Sequence, residues 1–296
     1  MKEQEFINTI KRVLDSKYIG DDCAYLRDLG IVISQDNLVE NVHFSFEFTD
    51  PYKLGYKSAM VNISDIAASG AEPKYLTVGL SLPSSIENDF VEEFYRGLKA
   101  ACADVEVVGG DITGGENVFV SITAVGVVNG RRISSRSYAK PGYKIIVSGV
   151  HGSSAAGFRQ LQQGELNGKF VESHLLPKAQ VEFSKYIAEN LNYNYAMMDT
   201  SDGLMDALFQ IANASGVLLS VDFNKIPYDK KLEKFEDYKD LIFYGGEDYQ
   251  LVACIPEDFN VPNSFEIGKV KVGNGVEIDG IKITNIDEKF FNHFKG

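Results

Sequence analysis

The 296-residue sequence predicts a two-domain protein of mixed α+β class. That length is comfortable for two domains of about 150 residues each. Strand-like and helix-like segments mix in both halves without the strict βαβ rhythm of a doubly wound sheet. Between the halves, residues 129–142 (NGRRISSRSYAKPG) turn polar and basic and close on Pro141-Gly142. This shift sets the expected boundary, with an N-terminal domain over 1–137 and a C-terminal domain over 138–296.

Each element has its own signal. Phe6, Ile7, Ile10, Val13 and Leu14 recur at helical spacing over Glu5 to Leu14. GIVISQD at 30–36 reads as a buried strand, and Val42, Phe44, Phe46 and Phe48 alternate with polar neighbours as a half-buried strand does. Asp50-Pro51 opens a helix that Gly70 closes, the aspartate as N-cap and the proline in the first turn. A strand at 75–82 precedes a helix announced by Ser84-x-x-Glu87, and strands at 105–108 and 118–128 complete the half. The second half begins with the strand YKIIVSG and a helix start at GSSAAG (152–157). A helix near 178–190, a strand at 195–198 and a helix from Asp202 to Gly216 follow. VLLSVD, DLIFYGG, YQLVACI and FEIGKVKV then read as strands.

Composition excludes several classes of function. With 44% hydrophobic and 24% charged residues, the chain is an ordinary globular one, with no apolar run near the ~20 residues of a membrane span. The N-terminal MKEQEFINTI lacks a secretory signal's apolar core. Three widely spaced cysteines fit neither a disulfide framework nor a zinc site, and a cytoplasmic location is expected. Twenty-nine basic against 42 acidic residues give a net charge of −13, which repels nucleic acid and anionic membranes. Phosphate substrates are not excluded, because carboxylates bind phosphate through divalent cations.

The nucleotide P-loop, H-E-x-x-H, G-x-S-x-G and C-x-x-C are all missing. What stands out is aspartate beside glycine or at the ends of apolar segments: Asp21 and Asp22, Asp36, Asp65, Asp111, Asp199 and Asp202, then Glu247 and Asp248. One such aspartate reads as a cap or turn residue. Six or more, with no comparable supply of arginine to pair them, call for another partner, since a buried unpaired carboxylate is costly. Mg²⁺ answers that need, being a hard ion that takes carboxylate and phosphate oxygens. The glycine-rich GGDITGG at 109–115 reads either as a strand-to-strand turn or as an anion nest. Arg136 reads as a phosphate partner or a solvated surface residue, and GSSAAG as a helix N-terminus facing phosphate or a close helix–sheet contact. His151, His174 and His293 read as structural, and His43 on its own as a packed or capping residue.

In order along the chain stand GDDCAYL, SQDNLVENVHF, DPYKLGYKSAMVNISDIAASGAEP, GGDIT, SRSYAKPG, MDTSDGL and GGEDYQL. They extend from residue 20 to about 251, and the aromatic FFNHF follows near the C-terminus. Together they resemble the thiamine-monophosphate kinase family, which makes thiamine diphosphate from thiamine phosphate and ATP. The resemblance implies the aminoimidazole ribonucleotide synthetase-like fold, with an α+β N-terminal domain that pairs its sheet in a homodimer and an α/β C-terminal domain. It also implies roles at matching positions. Asp22, Ser34, Gln35 (through its backbone), Asp36, Asp65, Asp111, Asp199 and Asp202 match Mg²⁺ ligands. Gly110, Asp111, Arg136 and Ser201 match ATP contacts, and His43, Glu247 and Phe291 match thiamine-phosphate contacts. No residue is cast as a general base.

Departures from the family pattern are Gln35 in Ser34-Gln35-Asp36, Ser153 where an acid is usual, LLPKAQV in place of an Arg/Pro-rich stretch, and Phe291 where tyrosine is common. Rival readings on the same fold are selenophosphate synthetase and the hydrogenase-maturation dehydratase. The first needs a reactive cysteine in a glycine-rich N-terminal segment, whereas Cys23 lies among apolar neighbours; the second needs a C-terminal cysteine, whereas this sequence ends NHFKG. A non-catalytic nucleotide-binding scaffold would not require His43, Glu247 and the aspartate set together.

Overall fold

The computed structural model describes residues 2–284. Helix α1 (Lys2–Leu14) leads to a short strand β1 (Ala24–Leu26) and the long β2 (Ile31–Val39). Helix α2 (Pro51–Ser69) follows, with the Asp50 side chain accepting from Lys53 N and Gly70 in the left-handed conformation at its end. Then come β3 (Glu72–Leu82), α3 (Asn88–Cys102), β4 (Glu106–Gly114) and β5 (Phe119–Val127). The five strands form one sheet in the order β1-β2-β5-β3-β4, antiparallel except for the β3–β4 pair. Val32, Leu38, Leu76, Val78, Val120 and Ile122 line the face packed on α2 and α3. The two helices touch backbone to backbone, because a Cβ at Gly55 or Gly97 would run into the facing main chain at Phe94 or Tyr52.

A second sheet is built from residues 143–282. Its elements in chain order are β6 (Tyr143–Val147), α4 (Ser153–Gln162), α5 (Lys169–Leu175), α6 (Val181–Asn190), β7 (Ala196–Asp199), α7 (Leu204–Ser215) and β8 (Leu218–Val221). These lead into α8 (Tyr238–Tyr244), β9 (Leu251–Pro256), β10 (Phe265–Lys271), β11 (Gly275–Ile278) and β12 (Ile281–Lys282). The strand order is β12-β11-β8-β10-β6-β9-β7, with only β8 and β11 parallel among the paired strands described. Ile145, Val147, Leu208, Ile211, Leu219, Val252 and Ile267 fill its main core. The end of α2 joins the two halves: Ala67 and Ala68 pack with Ile146, Ile187, Tyr195, Met197 and Leu251 of the second sheet and its helices.

Most expected elements form, and five expectations are corrected. Residues 42–48 are turns, and their phenylalanines alternate because their rings pack on other elements: Phe46 meets Phe44 and Phe90 edge to face, and Phe48 meets Phe158. Helix α3 starts at Asn88 with no side-chain cap, so Ser84 and Glu87 form no capping box. Segment 109–115 is largely strand β4, paired with β3, and is not a nest. Helix α7 is capped by the Gly203 backbone, with Asp202 one residue outside. DLIFYGG is mostly helix, α8, a short apolar run whose period does not separate helix from strand.

Candidate active site

Three carboxylates converge where the first sheet meets β7. Asp22 lies just before β1, Asp65 in the last turns of α2 and Asp199 at the end of β7, and one oxygen from each lies within 4.8 Å of the other two. Serines orient them. Ser34 on β2 donates to Asp65 Oδ2, Ser64 to Asp199 Oδ2 at 2.6 Å, and Ser201 to Asp199 Oδ1 at 2.8 Å. Beside them, the Asp36 backbone N–H donates to Asn62 Oδ1 at 3.2 Å, tying β2 to α2.

Burial governs the charges here. It pushes Asp22 up to about 6, with Arg136 opposing and Asp199 adding to the rise. Burial, then the charges of Asp202 and Asp22, pushes Asp36 up to about 6. Burial, then Asp36, Asp199 and Asp22, drives Asp65 well above the carboxylate range. Asp199 is raised by burial against the hydrogen bonds of Ser64 and Ser201. Asp206, in the first turn of α7, joins this field and is pushed up to about 7 by burial and Asp202. An all-oxygen donor set with so much unrelieved negative charge suits a hard divalent cation such as Mg²⁺.

Arg136 is the cation that pairs with the cluster. Its Nη2 lies 2.8 Å from Asp22 Oδ1, its backbone N–H donates to Asp21 Oδ1 at 2.8 Å, and its carbonyl accepts from Ser215 of α7 at 2.7 Å. Its Nε is buried without a partner. A cavity of ≈ 250 Å³ opens beside Asp22, lined by Tyr18, Tyr25, Arg27, Ser135 and Tyr138 among others.

A second polar cluster, further back along α2, is organised around Glu247. Lys57, a buried residue two turns up α2 from Ser64, places Nζ 2.7 Å from Glu247 Oε1, and His174 of α5 places Nδ1 3.3 Å from Oε2. Burial works against the Glu247 charge, but Lys57 and then His174 hold the carboxyl below its usual range. The loop that carries it is strained: Glu247 has φ +65 and Tyr249 φ +48. It is pinned by the Glu247 N–H, which donates to Ser201 O at 2.7 Å. The next residue, Asp248, accepts from the backbone N–H groups of Gly152 and Ser154 at 2.5 and 2.8 Å. That carboxylate therefore occupies the α4 N-terminus, so GSSAAG does not face phosphate there. His43 Nδ1 accepts from Val39 N at 3.0 Å, so its ring is a neutral tautomer with the proton on Nε2.

Of the residues expected at the site, the structure gathers Asp22, Ser34, Asp36, Asp65, Asp199, Ser201 and Arg136, with the charge of Asp202 acting on Asp36, and it brings His43 near Glu247. Gly110 and Asp111 stand apart, on the exposed strand β4 at the sheet edge. Strand register puts Asp111 level with Gly79, Ser121 and Asn37, on the face away from α2. The Gln35 side chain also lies on that face, bonded to Ser121 and Thr123. Phe291 lies outside the described residues. Lys57, His174 and Asp206 were not anticipated. A lysine or aspartate in a helix ordinarily reads as solvated surface, and Lys57 is buried against a partner, Glu247, that lies far along the chain.

Known proteins share this architecture. Models of the AIR synthase related protein match twice, its N-terminal domain over residues 20–128 and its C-terminal domain over 140–280. A chain of a hydrogenase-maturation HypE–HypF complex shares the fold, with a TM-score of 0.77 at 18% identity over 92% of this chain and 94% of that one. Two such domains around a carboxylate cluster define an AIR synthase-related protein. The thiamine-monophosphate kinase of Aquifex aeolicus is 35% identical over 97% of this chain and 96% of its own length. That of Bacillus subtilis is 30% identical over 94% and 93%. A solved structure described as AaThiL complexed with AMPPCP and TMP superposes with a TM-score of 0.90 at 35% identity, covering 99% of this chain and 98% of that one. The chain belongs to the thiamine-monophosphate kinase family.

Proposed function

We propose that this chain is a thiamine-phosphate kinase, transferring the γ-phosphoryl group of ATP to thiamine phosphate and releasing ADP and thiamine diphosphate. The observation that carries this reading is a pair of chemically different clusters that share α2, the carboxylates at Asp65 and the Lys57–Glu247–His174 group. The acceptor is a phosphate oxygen, already ionised near neutral pH because a monoester's second pKa is about 6. Its lone pair forms the new O–P bond in line as the bond from the γ-phosphorus to the bridging oxygen breaks, and that electron pair stays with ADP. No proton has to be removed, so no general base is assigned.

Asp22, Asp65 and Asp199, with Ser34, Asp36, Asp202 and Asp206 near them, are the residues that would hold Mg²⁺. When bound, Mg²⁺ supplies positive charge that offsets the repulsion between two anionic phosphates. Arg136 and Ser201 are assigned to ATP. His43, Glu247 and Phe291 are assigned to thiamine phosphate, with His43 donating through Nε2–H and moving no proton in the step. Gln35 keeps its assignment to metal through its backbone between Ser34 and Asp36, and Gly110 and Asp111 keep theirs to nucleotide and metal through assembly. All nine residues of β4 are exposed, Val107, Val108 and Ile112 among them, and a second copy seated on this sheet makes a symmetric homodimer. The test is ³¹P NMR of ATP, thiamine phosphate, Mg²⁺ and the protein. A β-phosphate resonance of thiamine diphosphate is expected, and ATP loss that ignores thiamine phosphate would overturn the reading.

A further inference from the structure

Glu247 does not stand alone. A fully desolvated lysine is rare unless paired, and Lys57 is 4% exposed with its Nζ on Glu247 Oε1. The second carboxylate oxygen faces His174 Nδ1 at 3.3 Å, and the same nitrogen is 3.0 Å from Ser154 Oγ. A serine, a histidine and a glutamate in contact suggest a nucleophilic triad, but the geometry rejects it. Both neighbours share Nδ1, whereas a triad needs one on each ring nitrogen. With Glu247 ionised, Nδ1 must carry the proton and donate to it, which leaves Nε2 as an acceptor. Phe158 packs on the His174 ring at 5.2 Å, and Phe48 from the first half meets Phe158 at 6.4 Å, so the imidazole is held from both halves of the molecule.

We infer that Lys57 and His174 are positioning residues of the substrate site, which fix Glu247 as an anion with both oxygens immobilised against the organic end of the acceptor. The inference rests on the kinase reading above. Neither residue needs to touch the reacting phosphates, which lie with the carboxylates at the far end of α2. Their effect therefore falls on acceptor affinity and leaves the chemical step and nucleotide affinity alone.

The experiment compares Lys57→Met, Glu247→Gln and their double variant by steady-state kinetics, with calorimetric binding of thiamine phosphate as a second readout. Lys57→Met is expected to raise the KM for thiamine phosphate roughly 30-fold or more, the scale for breaking a buried charge pair. The KM for ATP should stay put and kcat should change little. Because Lys57 acts through Glu247, Lys57→Met should add little once Glu247 is already glutamine. Fully multiplicative losses in the double variant, or a kcat loss at unchanged KM, overturn the inference. If Lys57→Met does not fold, His174 carries the test. His174→Asn keeps an N–H near the Nδ1 position and should retain most acceptor affinity, whereas His174→Phe should lose it. Equal losses in both variants, or none, overturn the inference. If the wild type consumes no ATP in response to thiamine phosphate, the kinase reading itself fails, and that outcome is distinct from any of these.

Discussion

Arg136 and Asp22, 114 residues apart in sequence, meet at 2.8 Å inside the carboxylate cluster, and a second guanidinium nitrogen of the arginine, Nε, is buried there without a partner. The ion pair thus half-commits the arginine. Replacing Arg136 with Met strands Asp22 among Asp21, Asp65 and Asp199. The expected result is a loss of about 3 kcal/mol of stability in Mg²⁺-free buffer, the scale for an uncompensated buried charge. It should be partly recovered on adding Mg²⁺, as read by denaturant titration. No loss in Mg²⁺-free buffer would mean that Asp22 does not depend on the arginine.

Asp65→Asn removes a charge from the most crowded carboxylate while keeping its shape and its ability to accept from Ser34. Activity should fall severely, by about 10³-fold or more in kcat/KM, if Asp65 organises the phosphates. Thermal stability without metal should hold or rise, because the amide has no charge to desolvate on burial and none to repel its neighbours. Near-wild-type turnover at saturating Mg²⁺ would contradict the role given to it.

His43→Asn offers Val39 an oxygen acceptor in place of Nδ1 and should mainly raise the KM for thiamine phosphate. At saturating Mg²⁺, whose charge offsets the burial that raises Asp65 and Asp206, the kcat profile should stay flat from about pH 7 to 9, where the phosphate has finished titrating. A kcat loss of ~10³-fold at unchanged KM would point to acid–base catalysis instead.

His151 sits ahead of α4, fully buried, with neither ring nitrogen bonded, and burial lowers it to about 3. Between that value and the unfolded value near 6.5, the unfolded chain holds more protons, so its contribution to stability shrinks as pH falls. His151→Phe should therefore gain about 2 kcal/mol on the wild type in going from pH 7.5 to pH 5, measured by urea unfolding. A difference independent of pH would show that the ring is not held neutral.

The exposed edge strand predicts association. Light scattering at micromolar concentration should report a dimer, and Ile112→Lys should shift it toward monomer by placing a charge on that strand. A wild-type monomer would remove the basis for assigning Asp111 and Gly110 to the site.

Much of this molecule can be read along the chain wherever a signal is local. Helix α2 announces itself by Asp50-Pro51 and Gly70, and β2 by its apolar run. The aspartates are conspicuous because apolar neighbours surround them. What is lost is whatever depends on distant partners. The alternation of Phe44, Phe46 and Phe48 has the period of a strand, yet its cause is ring packing against Phe90 and Phe158. Lys57 becomes buried only because Glu247, 190 positions later, neutralises it. Asp36 and Gln35 are chain neighbours whose side chains serve opposite faces, which pleating dictates once the strand is known but the spelling of the motif conceals.

Lys57 and Asp65 ride on the same uninterrupted rod, eight residues apart, which at helical rise is about 12 Å along the axis. With a salt bridge at one end and a carboxylate cluster at the other, α2 works as a gauge whose length is set by main-chain hydrogen bonds. A hinge or a loop between the two clusters would let their spacing adapt; a helix does not stretch. On the kinase reading proposed above, an acceptor one methylene longer between ring and phosphate would satisfy either end of the gauge but not both, so selectivity for size would be set by the backbone and not by any single contact.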